Sequence, residues 1–309
     1  MRTATLAGSD QDEQRRRQGD MVRSRIAGAP ISWGVCEVAG WGFQMARGRV
    51  LDEMRDLGLT ATEFGPEGWL PEDPQARARE LRAHGLQAVG GFLPVVLHDP
   101  GLDPTHEFDA FADACVAAGA EVVVLAAATG VNGYDARPVL SDAEWTTLCA
   151  NLDALDQRAK ERGLRAALHP HVGTLVENAD DVDIVLTRSR VALCIDTGHL
   201  MAAGVDPVLL TKDHVERVAH VHLKDVDAAL ATEVQEGRVT FSDAVRAGLF
   251  RPLGQGDVDV AGMVTLLEGH GYDGWYVLEQ DVMLDGDPAG PGPITDVRAS
   301  LAYLEGIAS

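Results

Sequence analysis

One unit recurs along the whole chain: a short apolar run of strand character, a few loop residues, then apolar residues at helical spacing closed by a glycine. The strand-like runs cover 26–33, 61–64 and 86–97, then the both-faced apolar run 122–128. Four more end at His169, at Asp196, at the His220, His222 and Lys224 run, and at Glu279. A run that is apolar on both faces fits only a strand covered on both sides. The helical patterns between them include 47–57 stopped by Gly58, 107–118 ended by Gly119, 145–162 closed by Gly163, 178–187, 207–217 and 295–305. Glycine just past the last periodic residue is a helix stop, and Ser141 with Glu144 three residues on predicts a capping box. Eight strands alternating with helices in 309 residues predict the α/β class and a closed (β/α)8 TIM barrel over 26–309 rather than an open sheet. No Gly-x-Gly-x-x-Gly turn follows the first strand, which argues against a dinucleotide-binding fold.

The barrel reading leaves two segments over. Residues 1–25 mix acids, Gln and Arg without an apolar core, so they read as a disordered extension and not as a secretory signal. With no apolar run of about 18 residues or more, a cytoplasmic address and no membrane partner are expected. The second segment, 226–259, is far longer than an ordinary loop. Its apolar residues at helical spacing predict an ordered lid or a contact within a homo-oligomer, a dimer or tetramer. A formal net charge of −22 repels phosphate backbones and anionic lipids, so no nucleic-acid partner is expected and a small neutral substrate fits better. Cys36, Cys115, Cys149 and Cys194 are too scattered for a disulfide frame or a cysteine zinc site.

The barrel reading also sorts the ionisable residues. His220, His222 and Lys224 alternate on one strand face, and three protonatable groups on one face cannot be buried dry. They need a metal, a carboxylate or water. His169, Asp196, His222 and Glu279 each end one of the last four strands, on the face where barrel enzymes keep their chemistry. Two imidazoles and two carboxylates neutralise a divalent cation, so these four are the expected ligands, for Mn²⁺, Co²⁺, Mg²⁺ or Zn²⁺. Each alone has a plainer use: a strand-end His hydrogen-bonds, Asp196 caps the turn at Gly198, Glu279 pairs with an Arg. His171, Lys224, Glu63 and His199 are the candidates for proton transfer, with Lys224 expected to have its pKa pulled down beside a cation. Trp33, Glu37, Trp41 and Trp69, in the first two loops, are the expected substrate contacts, the indoles by stacking on a sugar or cyclitol ring.

Several longer strings carry a resemblance: 30–42 (PISWGVCEVAGWG), 61–71 (ATEFGPEGWLP), 169–174 (HPHVGT), 194–199 (CIDTGH), 220–225 (HVHLKD) and 271–279 (GYDGWYVLE). From about residue 28 to the last helix the chain resembles the myo-inosose-2 dehydratase family of the xylose isomerase-like barrels. The resemblance implies a divalent metal at the strand ends, Mn²⁺ or Co²⁺ by preference, and dehydration of 2-keto-myo-inositol to a trihydroxycyclohexane-dione. A small neutral polyhydroxy ketone would lose its α-proton to His171 or Lys224, and Glu63 or His199 would protonate the departing hydroxide. Ala39 stands where the dehydratases are expected to carry proline. In the isomerase and epimerase relatives a glutamate occupies the position of His169, so only Glu279 remains of the glutamate pair that commonly runs epimerisation.

The alternatives on the same barrel are a keto-sugar isomerase or epimerase and a β-eliminase acting on 3-keto-glycosides. A DNA-repair endonuclease on a related barrel conflicts with the acidic charge. A non-catalytic sugar-binding barrel conflicts with a complete set of ligands.

Overall fold

The computed structural model describes residues 22–307. Eight parallel strands close on themselves in the order β1-β10-β7-β6-β5-β4-β3-β2. They are β1 (Ile26–Gly28), β2 (Ala61–Glu63), β3 (Gln87–Val95), β4 (Val122–Ala127), β5 (Arg165–Leu168), β6 (Ala192–Asp196), β7 (Val218–Leu223) and β10 (Tyr276–Leu278). This is the expected (β/α)8 barrel. Two further strands, β8 (Asp225–Val226) and β9 (Phe250–Arg251), pair antiparallel outside it. Among the described residues no helix is long and apolar enough to cross a membrane.

Most of the expected expectations for helices hold to within a few residues. The capping box at Ser141 is present and opens the helix Asp142–Glu161, whose Leu148, Leu152 and Leu155 are buried against the barrel. After β6 the chain forms a helix that the periodicity did not predict, Thr197–Ala202, because Asp196 caps it: one carboxylate oxygen accepts the N–H groups of Gly198 and His199, each at 2.8 Å. A side-chain oxygen in that position satisfies donors that have no partner inside the helix.

Register decides what points inward. Asp196 pairs with His222 and Cys194 with His220 across β6 and β7, and His222 pairs with Val277 on β10. Glu63 pairs with Gly90, which pairs with Val122. With a period of two, Glu63, Asp196, His220 and His222 share the interior face, and Glu279 and His169 continue it just past β10 and β5. The inward layer beneath them is small, with Ala27, Ala61, Ala167 and Val277 all buried.

Two expected segments come out differently. The first strand ends at Gly28, and Pro30–Trp33 turns as a 3-10 helix, proline being suited to the first turn. Of the expected extension 1–25, residues 1–21 lie outside the described residues. Val22 is buried in the core. Arg25 is fastened by a 2.6 Å ion pair to Glu268 and by donation to the Tyr272 and Gly274 carbonyls.

Candidate metal and proton-transfer site

A cavity of about 760 Å³ opens at the C-terminal ends of the strands and is lined by His169, His171, His199, His222, Lys224 and Glu279 among others. One ligand atom each from His169, Asp196, His222 and Glu279 lies within 4.8 Å of all the others. His169 Nε2 is 3.2 Å from Asp196 Oδ2, the oxygen left over from the helix cap. His222 Nδ1 is 3.1 Å from Glu279 Oε2 and 3.6 Å from Asp196 Oδ2. The four residues expected as ligands are therefore brought together, and Asp196 serves as cap and as cluster member at once.

The chemistry of this donor set fits a divalent cation. Glu63 is buried at the bottom of the cavity, and its Oε1 accepts from His220 Nε2 at 2.7 Å and from His222 Nε2 at 3.0 Å. A carboxylate only accepts, so the His222 proton sits on Nε2 and the Nδ1 lone pair faces two carboxylate oxygens. That contact is repulsive unless a proton or a cation lies between, and Nδ1 has no hydrogen-bond partner of its own. An imidazole whose outer N–H is held by a carboxylate is a common arrangement for a metal ligand. Without an ion, the site responds with a proton. Burial disfavours charge on His222, but the surrounding acidic groups, Glu279 and Glu63 among them, outweigh it and hold its pKa well above the usual imidazole range. Burial likewise works against ionised Glu63, yet His222 and His220 hold its carboxyl far below the ordinary range.

Glu63 thereby departs from the expected role of acid. An ionised carboxylate already accepting two N–H groups has no proton to give to a departing hydroxide. It orients the imidazoles instead.

Beside this cluster lies a second. The rings of His171 and His199 stack with centroids 3.6 Å apart. His171 Nδ1 donates to the Val172 carbonyl at 2.7 Å, which leaves Nε2 as a lone pair. Burial, and then the charge of His199 on His171 and of Lys224 on His199, push both histidines well below the usual imidazole pKa, so both are neutral bases. Lys224 is 1% exposed on its side chain and its Nζ meets Asp281 Oδ1 at 2.6 Å, Glu279 Oε2 at 3.2 Å and Asp196 Oδ2 at 3.3 Å. Burial opposes its charge, but Asp196, Asp281 and Glu279 together raise its pKa. In the metal-free site the three carboxylates close around the ammonium and keep it charged; the lowering expected beside a cation belongs to a loaded site. Gly198 is required here because a Cβ would come within 2.6 Å of the Lys224 side chain.

The aromatic expectations divide. Trp41 lines the cavity, its indole N–H donating to the Val282 carbonyl at 3.1 Å, and Glu37 stands at the exposed rim, accepting from the Tyr134 hydroxyl. Trp33 does not reach the cavity. The 3-10 turn rotates it into the core, fully buried, with its N–H on Glu53 at 2.7 Å. Trp69 also stays off the lining, half-buried against Gly65. Two residues that sequence reasoning missed are Asp281, whose Oδ2 is 3.4 Å from His199 Nε2, and Tyr134, whose ring lies 4.4 Å from that of His171. Asp281 continues the period of two beyond Glu279, a signal that was present. Tyr134 sits in an irregular loop and gave none.

Comparison with known proteins agrees with this fold. The model of the xylose isomerase-like TIM barrel family matches residues 51–306. The chain is 33% identical over 290 residues to the rhizopine catabolism protein MocC of Rhizobium meliloti, covering 90% of this chain and 86% of that protein. It is 30% identical over 287 residues to the inosose dehydratase of Geobacillus thermodenitrificans, covering 89% and 94%. Among solved structures, the IOLI protein with a bound zinc atom superposes with a TM-score of 0.61 at 17% identity, covering 92% of this chain and 95% of that one. The chain belongs to the inosose dehydratase family of xylose isomerase-like TIM barrels.

Proposed function

We propose that the protein is a metal-dependent hydro-lyase that removes water from a cyclitol ketone of the 2-keto-myo-inositol type. The observation that carries this reading is the placement of His222 Nδ1 at 3.6 Å from Asp196 Oδ2 and 3.1 Å from Glu279 Oε2, next to a neutral imidazole pair and a charged lysine. Relatives named inosose dehydratase, similar over about nine-tenths of the chain, and a zinc-bound structure of the same fold support it. His169, Asp196, His222 and Glu279 would hold the ion, with Mn²⁺ or Co²⁺ the preferred occupants. Once bound there it would polarise the ketone and its neighbouring hydroxyl.

The chain's own residues divide the proton work. His171 Nε2, kept unprotonated and aimed by the Val172 carbonyl, takes the α-proton. The electron pair of the broken C–H bond forms the new C=C bond as the β C–O bond breaks. Lys224, whose ammonium is held by Asp281 at 2.6 Å, gives its proton to the departing hydroxide, and water leaves. His199 and Asp281 fix the positions of these two groups, and Trp41 offers an apolar face to the ring. A two-base epimerisation is less well served, since His169 stands in place of the second glutamate.

The test is elemental analysis of the purified protein together with mass-spectrometric detection of water loss from candidate cyclitol ketones. Chelation should abolish the loss and Mn²⁺ or Co²⁺ should restore it. Full turnover after complete metal removal, or no water loss from any inosose, would sink the reading.

A further inference from the structure

Asp225 follows Lys224 directly and takes no part in the chemistry above, yet its side chain is wholly buried. Its Oδ1 accepts the backbone N–H groups of Val226 at 2.9 Å and Val258 at 3.0 Å, and its Oδ2 those of Gly254 at 2.8 Å and Gly256 at 2.9 Å. Four donors converging on one carboxylate tie the strand end that carries Lys224 to the far end of the 226–259 excursion. Gly256 permits the close approach: a Cβ there would fall 2.4 Å from Asp225 Oδ1 and 2.6 Å from the Val226 carbonyl.

The fastened segment delivers two aromatic rings to the back of the site. Phe250, paired with Val226 across β8 and β9, lies 4.9 Å from Lys224 Nζ and 5.6 Å from the His199 ring. Phe241 packs at 5.7 Å from His199 and 6.3 Å from His171. Both phenylalanines are buried. They pack on the imidazole pair and the lysine without lining the cavity themselves.

We infer that Asp225 is a positioning residue: by clamping the Gly254, Gly256 and Val258 amides it seats Phe250 and so fixes where Lys224 and His199 stand. The inference rests on the reading of Lys224 and His199 as members of the proton-transfer site. A carboxylate is needed because an amide of the same shape presents two donors to a ring of four donors, and charge-assisted bonds of this kind are the strong ones.

The experiment uses the full chain, metal-loaded, as wild type, Asp225→Asn and Gly256→Ala. Metal content and thermal midpoint establish that each variant is folded and loaded. Acylation of lysines is followed by peptide mass spectrometry, which is clean because only Lys160, Lys212 and Lys224 exist. In Asp225→Asn, Lys224 labelling relative to Lys160 should rise by about tenfold or more, and kcat should fall by up to about 100-fold, the usual scale for displacing a reacting group by an ångström. KM should change far less. Gly256→Ala, which keeps the carboxylate but pushes the strap away, should move both readouts in the same direction. Unchanged Lys224 labelling in both folded variants would overturn the inference. If wild-type protein fails to dehydrate any cyclitol ketone, the functional reading falls while the labelling result still decides the strap.

Discussion

His222 and His171 line one cavity, both buried, and they are driven to opposite charge states. His222 has Glu63 behind it and Glu279 and Asp196 in front, and its pKa is raised well above that of a free imidazole against the cost of burial. His171 has a carbonyl behind it and His199 across from it, so burial dominates and its pKa drops. Desolvation is common to both, and the placement of carboxylates decides the outcome. The cavity is thereby split into a side that attracts cations and a side that accepts protons, a few ångströms apart.

The largest effect should come from removing a carboxylate on the cation side. Asp196→Asn retains an oxygen for the helix cap but removes the charge that faces His222. Metal content by elemental analysis should drop to background and turnover should vanish with it; a fully loaded, active variant would erase the distinction between the two sides. Next, His171→Gln should keep its metal while turnover falls by about 10²- to 10⁴-fold, the usual worth of a general base. Loss of metal in that variant would place His171 on the cation side after all. Glu63→Gln touches the cation side only through His222 and His220. Its metal affinity should weaken by about 10- to 100-fold, as for other carboxylates that orient a ligating imidazole, measured by competition with a chelator.

The smallest effect is one of pH, in the metal-free protein. An unfolded histidine titrates near about 6.5, whereas folded His171 and His199 resist protonation. Below that pH the unfolded chain takes up protons that the folded one refuses, so stability falls with acidification by roughly 1 kcal/mol per pH unit for each such residue. His222, raised when folded, contributes stability that is fully present throughout this acidic window and is lost only as pH climbs through its folded value. Urea midpoints between about pH 5 and 6.5 should therefore slope less steeply in His171→Gln than in wild type, and identical slopes would sharpen the case against a neutral His171.

How much of this was written in the sequence depends on the range of the contact. His169, Asp196, His222 and Glu279 end their strands, and a barrel brings strand ends together whatever the details, so their meeting was legible from spacing alone. The role of Glu63 was not, because its hydrogen bonds reach across 157 and 159 residues and only the closed register of the sheet brings them about. Trp33 misled because proline at position 30 turns the chain out of the strand two residues after Gly28, which reverses the direction of the indole. The contact of Lys224 with Asp281 was not legible either: that carboxylate lies 57 residues away and meets the ammonium only once the barrel closes.

Asp196 divides its two oxygens between a helix and a cluster of ligands. The oxygen that caps Thr197–Ala202 is committed as soon as the backbone folds, and it sets the direction of the other. A zinc finger acquires its shape only when the metal arrives, but this barrel mouth is rigged in advance by ordinary helix-end chemistry. On the metal-dependent reading proposed above, ions would exchange in and out of a finished protein, and supply in the cell rather than events during folding would set which one it carries.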